Sequence, residues 1–430
     1  MRLPLFALWC VFSVPLLATA QEVAKESLAA PLDGPRFAAR LVGVDPQWNI
    51  SLKSDGKIRV VASEDLALWG EFRDSPAGPQ VLLVDGSLII ADLLDFGEQE
   101  VTLGDSTGLG RVLWNESSIP RGQVKAVVFQ PSSDSLVRDQ LWDKLRSAAP
   151  KEDQLLLLGG ELVAGELVAA PRSGRFVSME KAPPPEVFKL LRPKSEQPLV
   201  IPAAKVLALI LADRTPLASP LPAHHLGLQD GSWLAARQVR VKGENVEVEL
   251  RGGGVLKAFR ETGDDSAPTF WDQITLLQTA SSRVSYLSDL KPLGYKHLPF
   301  VSVEFPFGVD RNVLGGRLRC GEIVATKGLG MPSASRLAYD LPANSRLLEG
   351  ALGVDDQAGS RGSVVGKILV EREAGKWSTA WESPLVRGGD DPVVFAVDVK
   401  GGRRVALLVE YADHGDERDY ANWLQVRLSK

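Results

Sequence analysis

Cysteine is scarce in this 430-residue sequence, which contains two, Cys10 and Cys320. Cys10 lies in an N-terminal apolar stretch that we expect to be removed, which would leave Cys320 without an intramolecular disulfide partner. A chain of this length can rely on its hydrophobic core instead of disulfides. We therefore expect Cys320 to be a buried small apolar residue rather than a nucleophile.

Residues typical of catalytic and metal sites are also few. The chain has four histidines and no His-x-x-x-His or Cys-x-x-Cys spacing, so a zinc site is unsupported. Adjacent carboxylates such as Asp355 and Asp356 point to opposite faces of a strand, whereas glycoside hydrolysis needs two carboxyls that face each other across a sugar. We expect a protein that is not an enzyme.

Positive charge and long apolar runs are lacking as well. The formal net charge is −5 and no basic stripe occurs, which argues against nucleic-acid binding. The one long apolar run, residues 3–17, follows Arg2 and precedes Ala18-Thr-Ala20. This pattern is typical of a secretory signal peptide at residues 1–20 and too short to span a bilayer. We expect an exported protein, periplasmic or extracellular at the cell envelope, with no membrane span in the mature chain.

What the sequence has in abundance is short alternation of apolar and polar residues, punctuated by glycine, which predicts a mostly β fold. One helix is predicted at Ser135–Ser147, where Leu136, Leu141, Trp142 and Leu145 fall near helical spacing. A weaker helical turn is predicted at residues 185–191, and residues 21–37 are expected to be a disordered lead-in.

An internal repeat occupies the chain before residue 284. Copy 1 begins near Leu83, copy 2 near Leu156 and copy 3 near Leu228, and a partial leading copy covers residues 50–70. The turn pairs Asp85-Gly86, Gly159-Gly160 and Asp230-Gly231 suit tight hairpins with positive φ. A spacing of about 70 residues is right for small barrels of about five strands, which resemble Sm-like or SH3-like barrels. One extended β-sandwich remains the alternative.

These patterns divide the chain. We predict a first β domain at 38–132, a helical connector at 133–150, β repeats at 151–215 and 216–283, and a terminal domain at 284–430. In the terminal domain, strands are predicted at 347–354, 363–372, 393–399, 405–411 and 423–428, and about eight strands with non-helical connections indicate a two-sheet jelly roll.

The terminal domain also carries an ordered series of short motifs. They read Tyr286-Leu-Ser-Asp-Leu, Asp310-Arg-Asn, Thr326-Lys-Gly-Leu-Gly-Met, Ser335-Arg-Leu-Ala-Tyr-Asp-Leu, Gly353-Val-Asp-Asp, Gly362-Ser-Val-Val, Arg387-Gly-Gly-Asp and Asp419-Tyr-Ala-Asn-Trp. In order and spacing this series resembles the NPCBM family of carbohydrate-binding modules. The resemblance implies a galactose-binding-like jelly-roll sandwich and a carbohydrate ligand.

Candidate carbohydrate contacts are the polar motif residues and the aromatic side chains among them, because sugars bind to an aromatic plane and fixed polar groups. They are Arg311, Asn312, Lys327, Trp377, Trp381, Arg387 and His414. For both tryptophans a core or edge position is the alternative. The family pattern usually has a His where this chain has Met331-Pro332-Ser333, which counts against sugar binding.

Oxygen-rich loops suggest a structural calcium ion as the only cofactor. Hard cations need several oxygen ligands, and modules similar to this one can hold calcium. The candidate ligands are Asp355, Asp356, Asp416 and Asp419, with solvated turn carboxylates as the alternative.

Together these features predict a secreted non-catalytic carbohydrate-binding protein that acts through its C-terminal module. Its repeats could contact a protein partner. The alternative is a structural or assembly protein whose jelly roll has lost sugar binding and whose repeats mediate protein contacts.

Overall fold

The computed structural model describes residues 26–104, 114–171, 186–212, 223–259, 269–299 and 304–430. These residues are mostly β-structure, which confirms the predicted fold class. The predicted signal peptide at residues 1–20 lies outside them. Across the described ranges, none of the helices has the length and apolar composition needed to cross a bilayer.

The leading copy is complete rather than partial, and it shares its strand plan with the other three copies. The leading copy contains β1 (Ser27–Pro31), β2 (Phe37–Val44), β3 (Asn49–Ser54), β4 (Lys57–Ala62) and β5 (Leu66–Gly70). Copy 1 contains β6 (Gln80–Leu83), β7 (Leu88–Ile90), β8 (Asp92–Phe96), β9 (Glu100–Gly104), β10 (Ser117–Pro120) and β11 (Val124–Val128). Helix α1 (Ser135–Ser147) follows, with the predicted bounds.

Copies 2 and 3 repeat the plan. Copy 2 contains β12 (Gln154–Leu157), β13 (Leu162–Ala164), β14 (Glu166–Ala169), β15 (Val187–Leu191), β16 (Leu199–Pro202) and β17 (Val206–Ile210). Copy 3 contains β18 (His224–Leu228), β19 (Trp233–Lys242), β20 (Asn245–Leu250), β21 (Val255–Phe259), α2 (Phe270–Gln273) and β22 (Ile274–Gln278). A one-turn 3₁₀ helix stands in the place of α2 in the other three copies.

One turn recurs after the first strand of every copy. Its glycine has a φ between 87° and 97°, a conformation that L side chains rarely adopt. A backbone N–H at the turn then donates to the carbonyl of the residue just before the last strand, at 2.8–2.9 Å. The glycines are Gly34, Gly86, Gly160 and Gly231, and the donor and acceptor pairs are Leu32 to Asp65, Val84 to Gln123, Leu158 to Lys205 and Gln229 to Gln273.

The copies are joined edge to edge into one 16-stranded sheet. Within each copy the first strand pairs antiparallel with the last, as in β1 with β5 and β6 with β11. Between copies, β11 pairs with β17, β22 pairs with β5, and β7 pairs with β19. The leading copy is therefore paired with copy 3, and copy 1 is paired with both copy 2 and copy 3. The four repeats share one sheet and are not isolated units.

Two expectations about this region are wrong. Residues 187–191, predicted as a helical turn, form β15, because their apolar side chains alternate in burial and the strand pairs with β14 and β16. Residues 27–31, predicted as part of a disordered lead-in, form β1, which is held between β2 and β5.

The terminal domain begins with eight short strands or hairpin arms. They are β23 (Val284–Tyr286), β24 (Gly294–His297), β25 (Gly308–Val309), β26 (Leu318–Cys320), β27 (Ile323–Ala325), β28 (Gly328–Pro332), β29 (Ser335–Asp340) and β30 (Leu347–Val354). It ends with β31 (Ser363–Glu373), β32 (Lys376–Glu382), β33 (Val386–Arg387), β34 (Val393–Asp398), β35 (Arg404–Tyr411) and β36 (Tyr420–Ser429).

Two six-stranded antiparallel sheets enclose the core of this domain. One has the order β25-β28-β36-β30-β34, with β23 also on β36; the other has the order β24-β29-β35-β31-β32, with β33 on β31. Trp423 is fully buried between them, as predicted, and so is Ile368. The predicted jelly-roll sandwich is confirmed, and Cys320 is buried, as expected.

A buried charge network fixes the copies and helix α1 to the terminal domain. Asp74 accepts hydrogen bonds from Arg138 (2.5 Å), Arg319 (3.0 Å) and Arg317. Asp139 of α1 accepts from Arg317 (2.9 Å) and Arg319 (3.1 Å). Burial opposes ionisation of Asp74, but the three guanidinium groups outweigh it and lower its pKa to about 2.

Candidate functional site

A cavity of about 250 Å³ lies at one end of the sandwich, and we call it the His297 pocket. It forms where three strands begin or end: β24 ends at His297, β28 ends at Pro332, and β36 begins at Tyr420. Pro332 is the register partner of Tyr420. The lining residues are His297, Phe305, Pro332, Ser333, Asp416, Asp419 and Tyr420.

Asp419 places a buried acceptor on the wall of this pocket. Its side chain is 1% exposed, and its Oδ1 accepts from the backbone N–H of Ser363 at 2.7 Å. Its Oδ2 and the hydroxyl of buried Ser333 are neighbours, and the interaction with Ser333 lowers the pKa of Asp419, but neither atom has another hydrogen-bond partner among the described residues. Burial raises the pKa of Asp419 to about 6, and the charges of Asp416 and Asp413 add to the increase.

His297 contributes a donor of fixed direction. Its Nδ1 accepts from the backbone N–H of Phe305 at 3.1 Å. A neutral imidazole whose Nδ1 accepts carries its proton on Nε2. The buried ring therefore offers an N–H donor to the pocket that it lines.

These groups suit a ligand that carries hydroxyls on an apolar frame. The pocket offers a donor at His297 and the neighbouring polar side chains of Ser333 and Asp419, beside the rings of Phe305 and Tyr420. Binding sites for small polar molecules combine apolar walls with a few fixed polar groups of this kind.

The comparisons with known proteins assign the domain that contains the pocket. Residues 283–429 match the NPCBM/NEW2 domain family.

A part of the chain is also similar to a known enzyme. Alpha-1,3-galactosidase B of Akkermansia muciniphila is 28% identical over 122 residues, which make up 27% of this chain and 15% of that protein. This chain therefore spans less than a sixth of that relative's length.

Two solved structures from Clostridium perfringens are also similar. The CBM51 module of GH95 in complex with methyl-galactose is 19% identical, covers 34% of this chain and 99% of that chain, and has a TM-score of 0.30. The CBM51-2 and INT domains of ZmpB are 20% identical, cover 45% of this chain and 40% of that chain, and have a TM-score of 0.31.

Most of the predicted sugar contacts are engaged elsewhere in the NPCBM/NEW2 domain. Arg311 forms a 2.6 Å ion pair with Asp143 of α1, and Lys327 is held by Asp289 and Asp310. Asn312 is buried and accepts from two backbone N–H groups in its own turn. These contacts engage polar atoms of all three residues within the protein and do not favour them as ligand contacts, so their assignment stays a prediction.

The two predicted tryptophans differ from each other. Trp381 packs on the core, with its ring centroid 5.0 Å from that of Phe395 and 6.1 Å from that of Trp423, so it is not a stacking platform. Trp377 is 39% exposed on the outer strand β32. Neither residue lines the His297 pocket.

The loop between β35 and β36 contributes to the pocket, although through residues other than those predicted as sugar contacts. Arg387 forms a 2.8 Å hydrogen bond with Asp413, and His414 lies in a turn at φ 61°. The same loop supplies Asp416 and Asp419 to the pocket. The sequence thus predicted that this loop is functional, but it assigned Asp416 and Asp419 to calcium binding. It did not identify His297 and Phe305.

The predicted calcium ligands do not form one cluster. Asp355 is buried and accepts from the side-chain amides of Asn422 (2.6 Å) and Asn312 (3.1 Å) and from Gln357 N–H (3.0 Å). Burial raises the pKa of Asp355.

Asp356 caps the turn between β26 and β27, where it accepts from Gly321 N–H (2.7 Å) and Glu322 N–H (2.9 Å). In the described part of the chain, no group of three or more His, Cys, Asp or Glu residues is arranged to hold a metal ion. Calcium stays a prediction that these contacts do not support.

Copy 1 contains a motif with the spacing of a catalytic site. Residues 104–108 have the Gly-x-Ser-x-Gly spacing of hydrolase nucleophile elbows, which require a turn from a strand into a helix. Gly104 ends β9 in a three-stranded antiparallel sheet, and residues 105–108 lie outside the described part of the chain. The motif therefore carries no assignment.

Proposed function

We propose that the NPCBM/NEW2 domain binds a neutral sugar in the His297 pocket and that the protein is a secreted, non-catalytic carbohydrate-binding protein of the cell envelope or extracellular surface. The observation that carries the proposal is a pocket that combines the His297 imidazole with the side chains of Asp419 and Ser333, which interact with each other and whose Oδ2 and Oγ have no other partner among the described residues. A hydrogen bond from a sugar hydroxyl contributes about 0.5–1.5 kcal/mol to a neutral group and about 1.5–3 kcal/mol to a charged one.

His297 can take the place of the His that the family usually has. Pro332 and Ser333, which occupy the place where the family usually has that residue, line the pocket. His297 lies beside them, since it is the register partner of Ser335. An imidazole thus lines the same pocket from β24. We therefore expect that the absence of the family His does not abolish sugar binding.

The size of the pocket indicates how much sugar it holds. A volume of about 250 Å³ is below the roughly 300–1,000 Å³ typical of sites for drug-sized molecules. We expect one monosaccharide ring, such as the terminal residue of a glycan chain.

The geometry of Asp419 favours binding over catalysis. A general acid must reach the glycosidic oxygen of its substrate. Asp419 is 1% exposed, its Oδ1 is committed to Ser363 N–H and its Oδ2 is buried beside Ser333, so the carboxyl is poorly placed to protonate a bound glycoside. We expect no sugar release when the protein is incubated with glycosides that it binds.

The test is a glycan-array screen of the intact protein, followed by titration of the best ligand with His297→Ala, Ser333→Ala and His414→Ala. Losing one hydrogen bond of about 1–2 kcal/mol should weaken binding by roughly 5–30-fold in the first two variants. His414 lies outside the pocket and should leave the affinity unchanged.

Other outcomes would redirect the assignment. A loss of affinity in His414→Ala but not in His297→Ala would move the site to the β35–β36 turn. No binding to any glycan by a folded protein would favour the structural or assembly role, for which the buried network around Asp74 is the supporting observation.

A further inference from the structure

A second and larger cavity, of about 660 Å³, lies at the opposite end of the sandwich. We call it the basic cleft and define it by Asp33, Arg283, Arg346, Lys400, Gly402 and Lys430. Asp33 belongs to the leading copy and the others to the NPCBM/NEW2 domain, and ligand sites often lie between domains in this way. Strand β36 starts at the His297 pocket and ends beside Lys430, so about 30 Å separates the two cavities.

The cleft concentrates positive charge on a protein whose net charge is −5. Four cationic side chains line it, against one carboxylate side chain. Asp33 is shared by Arg283 (2.6 Å) and Arg346 (2.9 Å), and the hydrogen bonds from these two residues lower its pKa. Arg283 also pairs with Asp65 at 2.7 Å, so two carboxylates meet the two guanidinium groups, and the positive charge that remains in the cleft comes from Lys400 and Lys430. A cleft focuses the field of such charges.

The two lysines are available to a ligand. Lys400 and Lys430 are exposed, and within the described residues neither forms an ion pair. Lys400 stands in the turn between β34 and β35, where Gly401 has a φ of 71°. A Cβ at Gly402 would lie 2.8 Å from Leu341 Cδ1 and 2.9 Å from Val399 O, so this part of the wall has to remain glycine.

Much of the remaining wall is formed by one turn that has an apolar and a polar part. Leu341, Pro342 and Ala343 are the apolar part, and Asn344 and Ser345 are the polar part. An apolar wall beside charged donors fits a molecule with an apolar face and anionic substituents, and 660 Å³ holds about two sugar rings.

We propose that the basic cleft binds a glycan that carries carboxylate or sulfate groups. The choice of a saccharide rests on the proposed function of the domain, while the choice of an anion rests on the four cations of the cleft. Arginine and lysine recognise either anion through charge-assisted hydrogen bonds. The protein would thus hold an acidic polysaccharide at one end of the sandwich and a neutral sugar at the other.

The experiment titrates the intact protein with trigalacturonate, a sulfated galactotriose and neutral galactotriose. Polyglutamate serves as a non-saccharide anion. At least one acidic trisaccharide should bind more tightly than the neutral one, and its affinity should fall when NaCl is raised from about 50 to 500 mM. Comparing the affinities for trigalacturonate and the sulfated galactotriose shows whether the cleft prefers carboxylate or sulfate.

Variants separate this site from the His297 pocket. Lys400→Glu with Lys430→Glu should weaken binding of the acidic trisaccharide about tenfold, because two attractive contacts become repulsive. The matched control is Lys151→Glu with Lys205→Glu, an equal charge change on two exposed lysines of copy 2. His297→Ala should leave acidic binding intact, and the double variant should leave neutral-sugar binding intact.

Three results would overturn the proposal: equal affinity for acidic and neutral trisaccharides, unchanged acidic binding in the double variant, or polyglutamate binding as tight as that of the acidic glycans. Acidic binding without any neutral-sugar binding would support the cleft and refute the His297 pocket. The reverse pattern would refute the cleft alone.

Discussion

Replacing Asp419 with Asn should stabilise the protein above pH 6 and leave its stability nearly unchanged at pH 4. Burial raises the pKa of Asp419 from 3.8 to about 6 in the folded state. The folded state then holds this proton more tightly than the unfolded state, so stability falls as pH rises from about 4 to about 6. At 1.36 kcal/mol per pKa unit, a shift of about two units costs the native protein roughly 3 kcal/mol at neutral pH.

Asparagine removes this cost because it carries no charge at any pH. Its side-chain oxygen can still accept the hydrogen bond that Ser363 N–H donates to Asp419 Oδ1. The difference in free energy of unfolding between variant and parent should therefore rise from about zero at pH 4 to roughly 3 kcal/mol at pH 7.5.

Urea unfolding at pH 4, 5, 6 and 7.5, followed by tryptophan fluorescence, measures this difference, since Trp423 is buried in the same sandwich. Asp391→Asn is the control, because Asp391 is exposed and its neutralisation should change stability by less than about 0.5 kcal/mol. A difference that does not vary with pH, or a variant less stable than the parent at pH 7.5, would refute the reasoning.

Three further changes test the rest of the structure. In urea titrations, Trp381→Ala should lower the free energy of unfolding by about 3 kcal/mol and Trp377→Ala by less than about 1 kcal/mol, because only Trp381 packs on the core. Equal losses in the two variants would contradict this packing. Asp74→Ala should cost about 3–5 kcal/mol at pH 7, because it removes the carboxylate shared by three buried guanidinium groups and leaves Asp139 alone to pair with Arg317 and Arg319. The parent should lose this stabilisation as pH falls from about 4 towards 2, so calorimetry that finds no pH dependence would contradict the network. Asp355→Ala should lower the melting temperature equally in calcium and in EDTA, because protein donors occupy its carboxylate; a calcium-dependent loss would place a metal there.

The strands of the terminal domain could be predicted because their pattern is local. β30 has the predicted bounds, and β31 and β35 differ from prediction by one residue. β31 alternates in burial from Val364 to Val370, whereas β30 and β35 are mostly buried runs. Residues 187–191 show the limit of local patterns. Their short apolar run fits a helical turn or a strand, and only pairing with β14 and β16 decides between them.

The site could be predicted only in part. Motif residues such as Asn312 and Asp355 lie 43 positions apart, and their direct hydrogen bond makes them partners of each other rather than of a ligand. His297 carries no local signal, because β24 reaches the pocket only through its pairing with β29. Which buried oxygens lack a partner, as in Asp419 and Ser333, is a property of the packed structure and not of the sequence.

The pairing of β5 with β22 has a consequence for how the chain folds. Leu276 is the register partner of Gly70, so about 200 residues must be synthesised before the leading copy obtains its neighbour. Until then β5 presents an open edge, which is the kind of surface on which chains aggregate. Completion of the row of four copies is thus a slow, late event of high contact order, and we expect a chain truncated before β22 to depend on chaperones for its solubility.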